Sequence, residues 1–249
     1  MNADLQLTAI ELDVCWEVLG LGETPLQLEL PSPGGTWEQR RYLTGQVLAT
    51  LARRGLAHAG ALHPGLENDL RHLAQARWIA DARVAIDGRC VRAIATAWSR
   101  QGVLLVRDDE HVRLRRTSDS AVLGELVAVA GQVRAGSGHS VNVGAEAFQT
   151  VTAGAPASEH VLADRLIDRG ENPREMRALA WMCSGVTAVG QFGIVTGHRR
   201  AAQVIGFHDT PTGRYLQIRN NAWLTIAPAD NNLLAARLRE LLDRSLPAA

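Results

Sequence analysis

The stretch RWIADARVAIDGRCVRAIATAWSRQGVLLVRDDEHVRLRR, residues 77–116, decides the fold class. It contains four runs that are rich in apolar and β-branched residues, and the short polar segments DGR, SRQ and RDDE separate them. Such runs are typical of strands, and connections this short favour antiparallel pairing of neighbours. The sequence therefore predicts an antiparallel meander.

A second meander is predicted from the runs VTAVGQFGIV, RRAAQVIGF, RYLQIR and AWLTIA. Helical patterns precede and follow each meander, and Pro64 and Pro173 begin corresponding helices. The chain of 249 residues is thus predicted to be a single domain of two repeats, about 1–135 and about 136–249. We expect an α+β fold in which a central antiparallel β-sheet is flanked by two helical bundles and an approximate two-fold axis relates the repeats.

Several local signals predict where elements begin. Thr8 and Thr36 each stand three residues before a Glu or a Gln, which is the capping-box pattern of a helix start. Asp119 and Asp230 are predicted to cap later helices. The alternating segment PLQLEL, residues 25–30, is predicted to be a strand.

The segment HDTPTG, residues 208–213, combines a His and an Asp with turn-forming residues. Asp209, Pro211 and Gly213 favour a hairpin turn. The corresponding turn of the first meander, SRQG, has neither a His nor an Asp. We therefore interpret His208 and Asp209 as turn residues and not as a catalytic pair.

Composition excludes several classes of protein. Twenty-six basic residues balance twenty-six acidic ones, so there is no global positive field for nucleic acid. The chain contains no lysine, which excludes Schiff-base and P-loop lysines. No apolar run approaches the roughly 18 residues of a spanning helix, and the first residues do not resemble a secretory signal. We expect a cytoplasmic protein with no membrane insertion.

Motifs that carry chemistry are missing from the sequence. It has no G-x-S-x-G, G-x-G-x-x-G or H-E-x-x-H pattern, and Cys15, Cys90 and Cys183 lie far apart. His58 and His63 have no nearby cluster of carboxylates or cysteines. The sequence therefore predicts no enzyme, no cofactor and no metal site.

Two segments carry a resemblance to a known family. The ending VIGFHDTPTGRYLQIRNNAWLTIAPADNNLLAARLRELL, residues 204–242, and the segment PGGTWEQRR, residues 33–41, resemble the EspG family of type VII (ESX) secretion chaperones, as does the duplicated layout. The resemblance implies a cytosolic chaperone without a cofactor. It also implies that the partner is a PE/PPE heterodimer, which such a chaperone binds at the helical tip of the PPE subunit and keeps competent for secretion.

The resemblance also implies where a partner would bind. The family uses the loop between the first two long meander strands together with the sheet and the carboxy-terminal helices. In this sequence that loop is IDGRC, which comprises Ile86, Asp87, Gly88, Arg89 and Cys90. It is shorter than is usual for the family.

Further contact residues are expected in the second repeat. A partner surface needs apolar anchors within a polar rim, and the candidates are Trp181, Val189, Gln191 and Phe192. Arg89 would be a rim contact. A Trp at helical spacing and an aromatic in a strand are also typical of core residues, so that alternative stays open for both aromatics.

Two other classes of function remain open from the sequence. One is a small-molecule-binding or dimerisation module, and a weak homodimer is compatible with it. The other is an unrecognised hydrolase whose site would lie at the junction of the repeats.

Overall fold

A computed structural model describes residues 4–153 and 158–246, and thirteen strands lie within them. The strands are β1 (Leu5–Thr8), β2 (Ala57–His58), β3 (Ala61–Leu62), β4 (Trp78–Ile86), β5 (Arg89–Trp98), β6 (Gln101–Asp108), β7 (His111–Ser118), β8 (Val141–Gly144), β9 (Ala188–Thr196), β10 (Arg199–Arg200), β11 (Ile205–Thr210), β12 (Gly213–Asn220) and β13 (Trp223–Pro228). Four of them, β4 to β7, form the meander predicted from residues 77–116.

Eight α-helices lie within the same described residues. They are α1 (Ala9–Val18), α2 (Trp37–Arg53), α3 (Pro64–Ala74), α4 (Val122–Ala128), α5 (Ala145–Thr152), α6 (Glu159–Ile167), α7 (Pro173–Met182) and α8 (Asn231–Ser245). The sequence of residues 155–170 predicts a helix, and this segment lies in part outside the described residues, which resume at Ser158.

One large antiparallel sheet organises the fold. Its strand order is β1-β7-β6-β5-β4-β9-β11-β12-β13-β8, and β10 pairs with β9 beside this path. The central pair β4 and β9 joins the two meanders, and the order of elements is the same when it is read inward from either edge. The predicted α+β class with its antiparallel sheet is confirmed. The two-fold axis stays a prediction, which superposition of residues 30–130 on residues 140–245 tests.

Three apolar clusters fix the layers of the fold. The first lies between one face of the sheet and the helices α4 and α8. The second packs α1, α2 and α3 on the amino-terminal half of the other face, and the third packs α5, α6 and α7 on its carboxy-terminal half. We call this second face, whose middle lies between two helical layers, the open face.

The register shows that the second and third clusters share one face of the sheet. Ile94 in the second cluster pairs with Asp81 on β4, and Asp81 pairs with Gly193 on β9. Directly paired residues of antiparallel strands point to the same face. Two residues further along β9, Gln191 pairs with Gly206, which pairs with Gln217 and thereby reaches Ile226 in the third cluster.

Local chemistry explains most of the helix starts. Thr8 and Thr36 each form the predicted capping box, and the carboxylate of Asp230 accepts a hydrogen bond from the backbone N–H of Leu233 at 2.9 Å. The prediction for Asp119 is wrong, because the residue before α4 is Ala121, which makes no side-chain cap.

Two predictions about extended and turn segments are also wrong. Part of residues 25–30 forms a short 3-10 helix, Leu26–Leu28, in which Leu28 is buried and Leu26 is exposed. His208 and Asp209 belong to β11 and are buried, and the turn consists of Pro211 and Thr212. Both residues are held by partners that sequence patterns do not show.

Candidate functional site

The middle of the open face is the candidate site. On β9 the side chains of Val189 and Gln191 point to this face and are exposed, Val189 by 46%. Arg83 on β4 pairs directly with Gln191, and Ala85 pairs with Val189. The helical layers cover the two ends of this face and leave a strip of polar and apolar side chains between them. We call this strip, which includes Arg83, Val189 and Gln191, the saddle.

An apolar groove of about 690 Å³ adjoins this strip. Its walls come from α5, α6, the end of α7 and the segment that leads into β9. Val186 and Val189 line the groove, and both are 46% exposed. Apolar walls with an accessible mouth favour the binding of apolar side chains or of a small apolar ligand.

Two polar side chains, the buried His208 and the half-buried Gln217, form part of the groove lining. The Nδ1 atom of His208 lies 2.7 Å from Nε2 of Gln217, and its Nε2 atom lies 3.0 Å from the carbonyl oxygen of Met182. A carbonyl oxygen only accepts, so Nε2 carries the proton and Nδ1 accepts from the amide of Gln217. Burial lowers the pKa of His208, although the Met182 carbonyl and the Asp209 carboxylate oppose that shift. The imidazole is therefore neutral and both of its nitrogens are satisfied.

Cys183 also lines the groove and does not suit nucleophilic chemistry. Burial raises the pKa of its thiol to about 12. The thiolate is the reactive form of cysteine, and it is scarce near neutral pH when the pKa is this high. The same argument holds for the buried Cys15, whose pKa is also raised to about 12 by burial and by Glu11.

The loop predicted at residues 86–90 is a tight turn. Asp87 and Gly88 have φ angles of 50° and 74°, which is the left-handed pair of a type I′ hairpin. Ile86 ends β4, and Arg89 begins β5 with an ion pair of 2.7 Å to Asp108. The loop therefore projects little beyond the strand ends.

The five residues of this turn do not face one way. Cys90 pairs with Ala85, which pairs with Val189, so Cys90 belongs to the open face. Ile86 and Arg89 pair with each other and point to the face that carries α4 and α8. Of the loop side chains that belong to the strands, only Cys90 thus shares a face with the predicted anchors of β9.

The four residues predicted as contacts in the carboxy-terminal half of the chain divide between surface and core. Val189 and Gln191 are exposed on the open face. Trp181 is 39% exposed on α7 and does not line the groove. Phe192 has no exposed surface, because its ring packs against Phe207 in the core with 5.5 Å between ring centroids. The prediction that Phe192 is a surface anchor is therefore wrong.

Val186 and the arginines of the open face are candidate contact residues that the sequence alone does not reveal. Val186 precedes β9, where periodicity gives no signal. Arg83 and Arg92 lie in two strands of the predicted meander, each between residues that point to the opposite face. Only the register of β4 and β5 shows that both arginines face the saddle.

The described part of the chain holds no group of three or more His, Cys, Asp or Glu side chains that could bind a metal ion. In the same residues no helix is both long and apolar enough to cross a membrane. The open face brings exposed apolar side chains together with charged and amide side chains, a combination that is typical of protein-binding surfaces.

Comparison with known proteins shows the family of the chain. A sequence profile described as the EspG family matches residues 8–240, so the chain belongs to the EspG family. No curated protein matches significantly.

A solved structure has the same fold. It is the type VII secretion system chaperone EspG5 of Mycobacterium tuberculosis in complex with a PE25-PPE41 dimer. The TM-score is 0.74 at 17% sequence identity, and the match covers 99% of this chain and 98% of that chain.

Proposed function

We propose that this protein is a non-catalytic chaperone that binds the tip of the PPE subunit of a PE/PPE heterodimer and keeps the heterodimer competent for type VII secretion. The observation that carries the proposal is the saddle of the open face, where exposed apolar side chains lie between two helical layers of an EspG-family fold. The similarity in fold to EspG5, which was solved with a PE25-PPE41 dimer, supports the choice of partner.

The proposed interface has its centre at Val189 and Gln191. Val186 and the groove next to it would receive apolar side chains of the PPE tip, and Cys90 would extend the contact across β4. Interfaces of this kind bury a few apolar anchors within a polar rim. The tight turn at Asp87 and Gly88 leaves most of the grip to the sheet and the groove.

Co-purification tests this proposal. The protein is mixed at micromolar concentration with each PE/PPE heterodimer encoded in the same genome, and each mixture is run on a gel-filtration column. We expect at least one heterodimer to co-elute with the protein as a stable complex. Failure of every heterodimer to co-elute would refute the chaperone assignment.

The groove also supports a second candidate function, that of a small-molecule-binding module. Its volume of about 690 Å³ lies within the range of ligand pockets. A metabolite retained in the purified protein and identified by native mass spectrometry would favour this second function.

A further inference from the structure

Three arginines lie side by side across the open face. The register pairs Arg83 on β4 with Arg92 on β5, and it pairs Arg92 with Arg107 on β6. Gln191 on β9 continues this row beyond Arg83. Like charges directly opposite each other on neighbouring strands destabilise a sheet unless an anion lies between them. We call these three residues the arginine row.

Glu29 supplies negative charge to the arginine row. Its carboxylate forms an ion pair with Arg92 and lies 3.6 Å from Nη1 of Arg83. Arg107 instead donates to the backbone carbonyl oxygens of Leu28 and Glu29. Among the described residues, Glu29 is the acidic residue whose side chain pairs with the row, so three positive charges meet one negative charge.

The arginine row is incompletely satisfied within the described residues. The Nε–H of Arg92 is buried and has no hydrogen-bond acceptor there. The contact of 3.6 Å between Arg83 and Glu29 is longer than the roughly 2.7–2.9 Å of a charge-assisted hydrogen bond. Glu29 itself has a φ angle of 48°, a left-handed conformation that is uncommon for a residue other than glycine.

A second ion pair on the same face provides a comparison, because the hydrogen-bond donors of its arginine are paired with a carboxylate. Arg200 binds both carboxylate oxygens of Asp81 at 2.6 and 2.9 Å, and Asp81 is buried. Arg83 has no such bidentate partner among the described residues, and 59% of its side chain is exposed. The guanidinium of Arg83 thus retains donors for a further carboxylate at the centre of the saddle.

We propose that Arg83 binds an Asp or Glu side chain of the PPE subunit and thereby helps to select the client. This inference rests on the proposed function. The excess positive charge of the arginine row favours an acidic group, and the planar guanidinium matches a carboxylate in shape. Because Arg83 lies next to Gln191 at the centre of the proposed interface, this contact would lie beside the apolar contacts made by Val186 and Val189.

Two matched variants test the role of Arg83. Arg83→Gln removes the charge from the row, whereas Arg113→Gln removes the same charge from an exposed arginine that pairs with Val106 and lies on the opposite face of the sheet. Binding of the co-eluting heterodimer is measured by calorimetry at about 50 mM and about 500 mM salt. We expect Arg83→Gln to weaken binding about tenfold at low salt and by less at high salt, since salt screens exposed charges. Arg113→Gln should stay within about twofold of the wild type.

Glu29→Gln should change the affinity for the heterodimer in the opposite direction. It removes the internal carboxylate that competes for Arg83, so we expect binding to tighten by a few fold at low salt. A merely structural role of the arginine row predicts instead that both Glu29→Gln and Arg83→Gln weaken binding. Thermal melts of all three variants show whether each remains folded.

The possible outcomes separate this inference from the proposed function. If no heterodimer binds the wild-type protein, the proposed function is wrong and the inference is overturned with it. If the wild type binds and Arg83→Gln binds equally well at low salt, or if Glu29→Gln also weakens binding, only the inference is overturned. An RNA mobility shift that Arg83→Gln abolishes without any change in heterodimer affinity would assign the row to nucleic acid and would also overturn it.

Discussion

Arg214 and Asp209 form a buried bidentate ion pair, with hydrogen bonds of 2.7 and 2.8 Å between the guanidinium and the carboxylate. The same guanidinium donates to the carbonyl oxygen of Ala130 at 2.6 Å and to Oδ1 of Asn231 at 2.5 Å. Arg214 therefore connects β11 and β12 to the end of α4 and to the start of α8. The favourable interaction of a cation with a helix C-terminus adds to this arrangement.

Removal of one member of this pair should be strongly destabilising. We expect Asp209→Ala to lower the free energy of unfolding by about 3–5 kcal/mol, because it leaves a buried guanidinium without its counter-charge. Urea unfolding measures the loss. The exposed pair of Arg237 and Glu240 is the control, since Glu240→Gln should cost less than about 0.5 kcal/mol. A loss below about 1 kcal/mol for Asp209→Ala would show that the pair does not stabilise the fold.

His208 should make stability depend on pH. Because burial lowers its pKa in the folded state below the ordinary value of 6.5, the unfolded chain binds this proton more readily. The stabilising contribution is therefore complete above pH 6.5 and is lost as the pH falls through the lower folded-state pKa. The slope from this one group is at most about 1.4 kcal/mol per pH unit.

Urea unfolding at several pH values tests this expectation. His208→Gln should flatten the dependence below pH 6.5, whereas His160→Gln, at an exposed position of α6, should keep the wild-type dependence. Identical pH dependence in the wild type and in His208→Gln would contradict the role of His208.

Two glycines should respond in opposite directions to replacement by alanine. A Cβ atom at Gly136 would lie 2.2 Å from the ring of the buried Tyr215, so Gly136→Ala forces the backbone or the ring to move. Gly124 lies within α4, and a Cβ atom there has no neighbour within 4 Å. We expect Gly136→Ala to destabilise the protein by about 1–3 kcal/mol, and Gly124→Ala to stabilise it by about 0.5–1 kcal/mol. Equal thermal midpoints for the two variants would contradict this difference.

Much of the fold could be predicted because its signals are local. Capping boxes at Thr8 and Thr36 and the Asp87–Gly88 turn depend on residues a few positions apart. The burial of Asp209 could not be predicted, because its partner Arg214 belongs to the next strand and the pair is recognised only once β11 and β12 are aligned. A buried ion pair leaves no trace in the periodicity of either strand.

The candidate site was predictable only in part. Alternation along β9 separates Val189 and Gln191 from Phe192, but it does not tell which face the helices cover. The arginine row could not be predicted either, because Arg83 and Arg107 are brought into one line only by the register of three strands.

Charged substitutions on β9 should separate surface from core. Val189→Asp places a charge on the exposed strip, so we expect it to weaken client binding by tenfold or more with an unchanged thermal midpoint. Phe192→Asp buries a charge in the core and should prevent folding. Val18→Asp, at a similarly exposed valine on α1, is the control and should bind normally. Normal binding by Val189→Asp would place the interface elsewhere.

The most direct test of the proposed chaperone function is a calorimetric titration of the wild-type protein with the PE/PPE heterodimers of its own genome. We expect saturable binding of one chain per heterodimer, with a dissociation constant of about 1 μM or tighter for at least one pair. We also expect a negative heat-capacity change, because apolar surface of the saddle is buried. The absence of saturable binding to every heterodimer, under conditions in which the protein is folded, would contradict the proposed function.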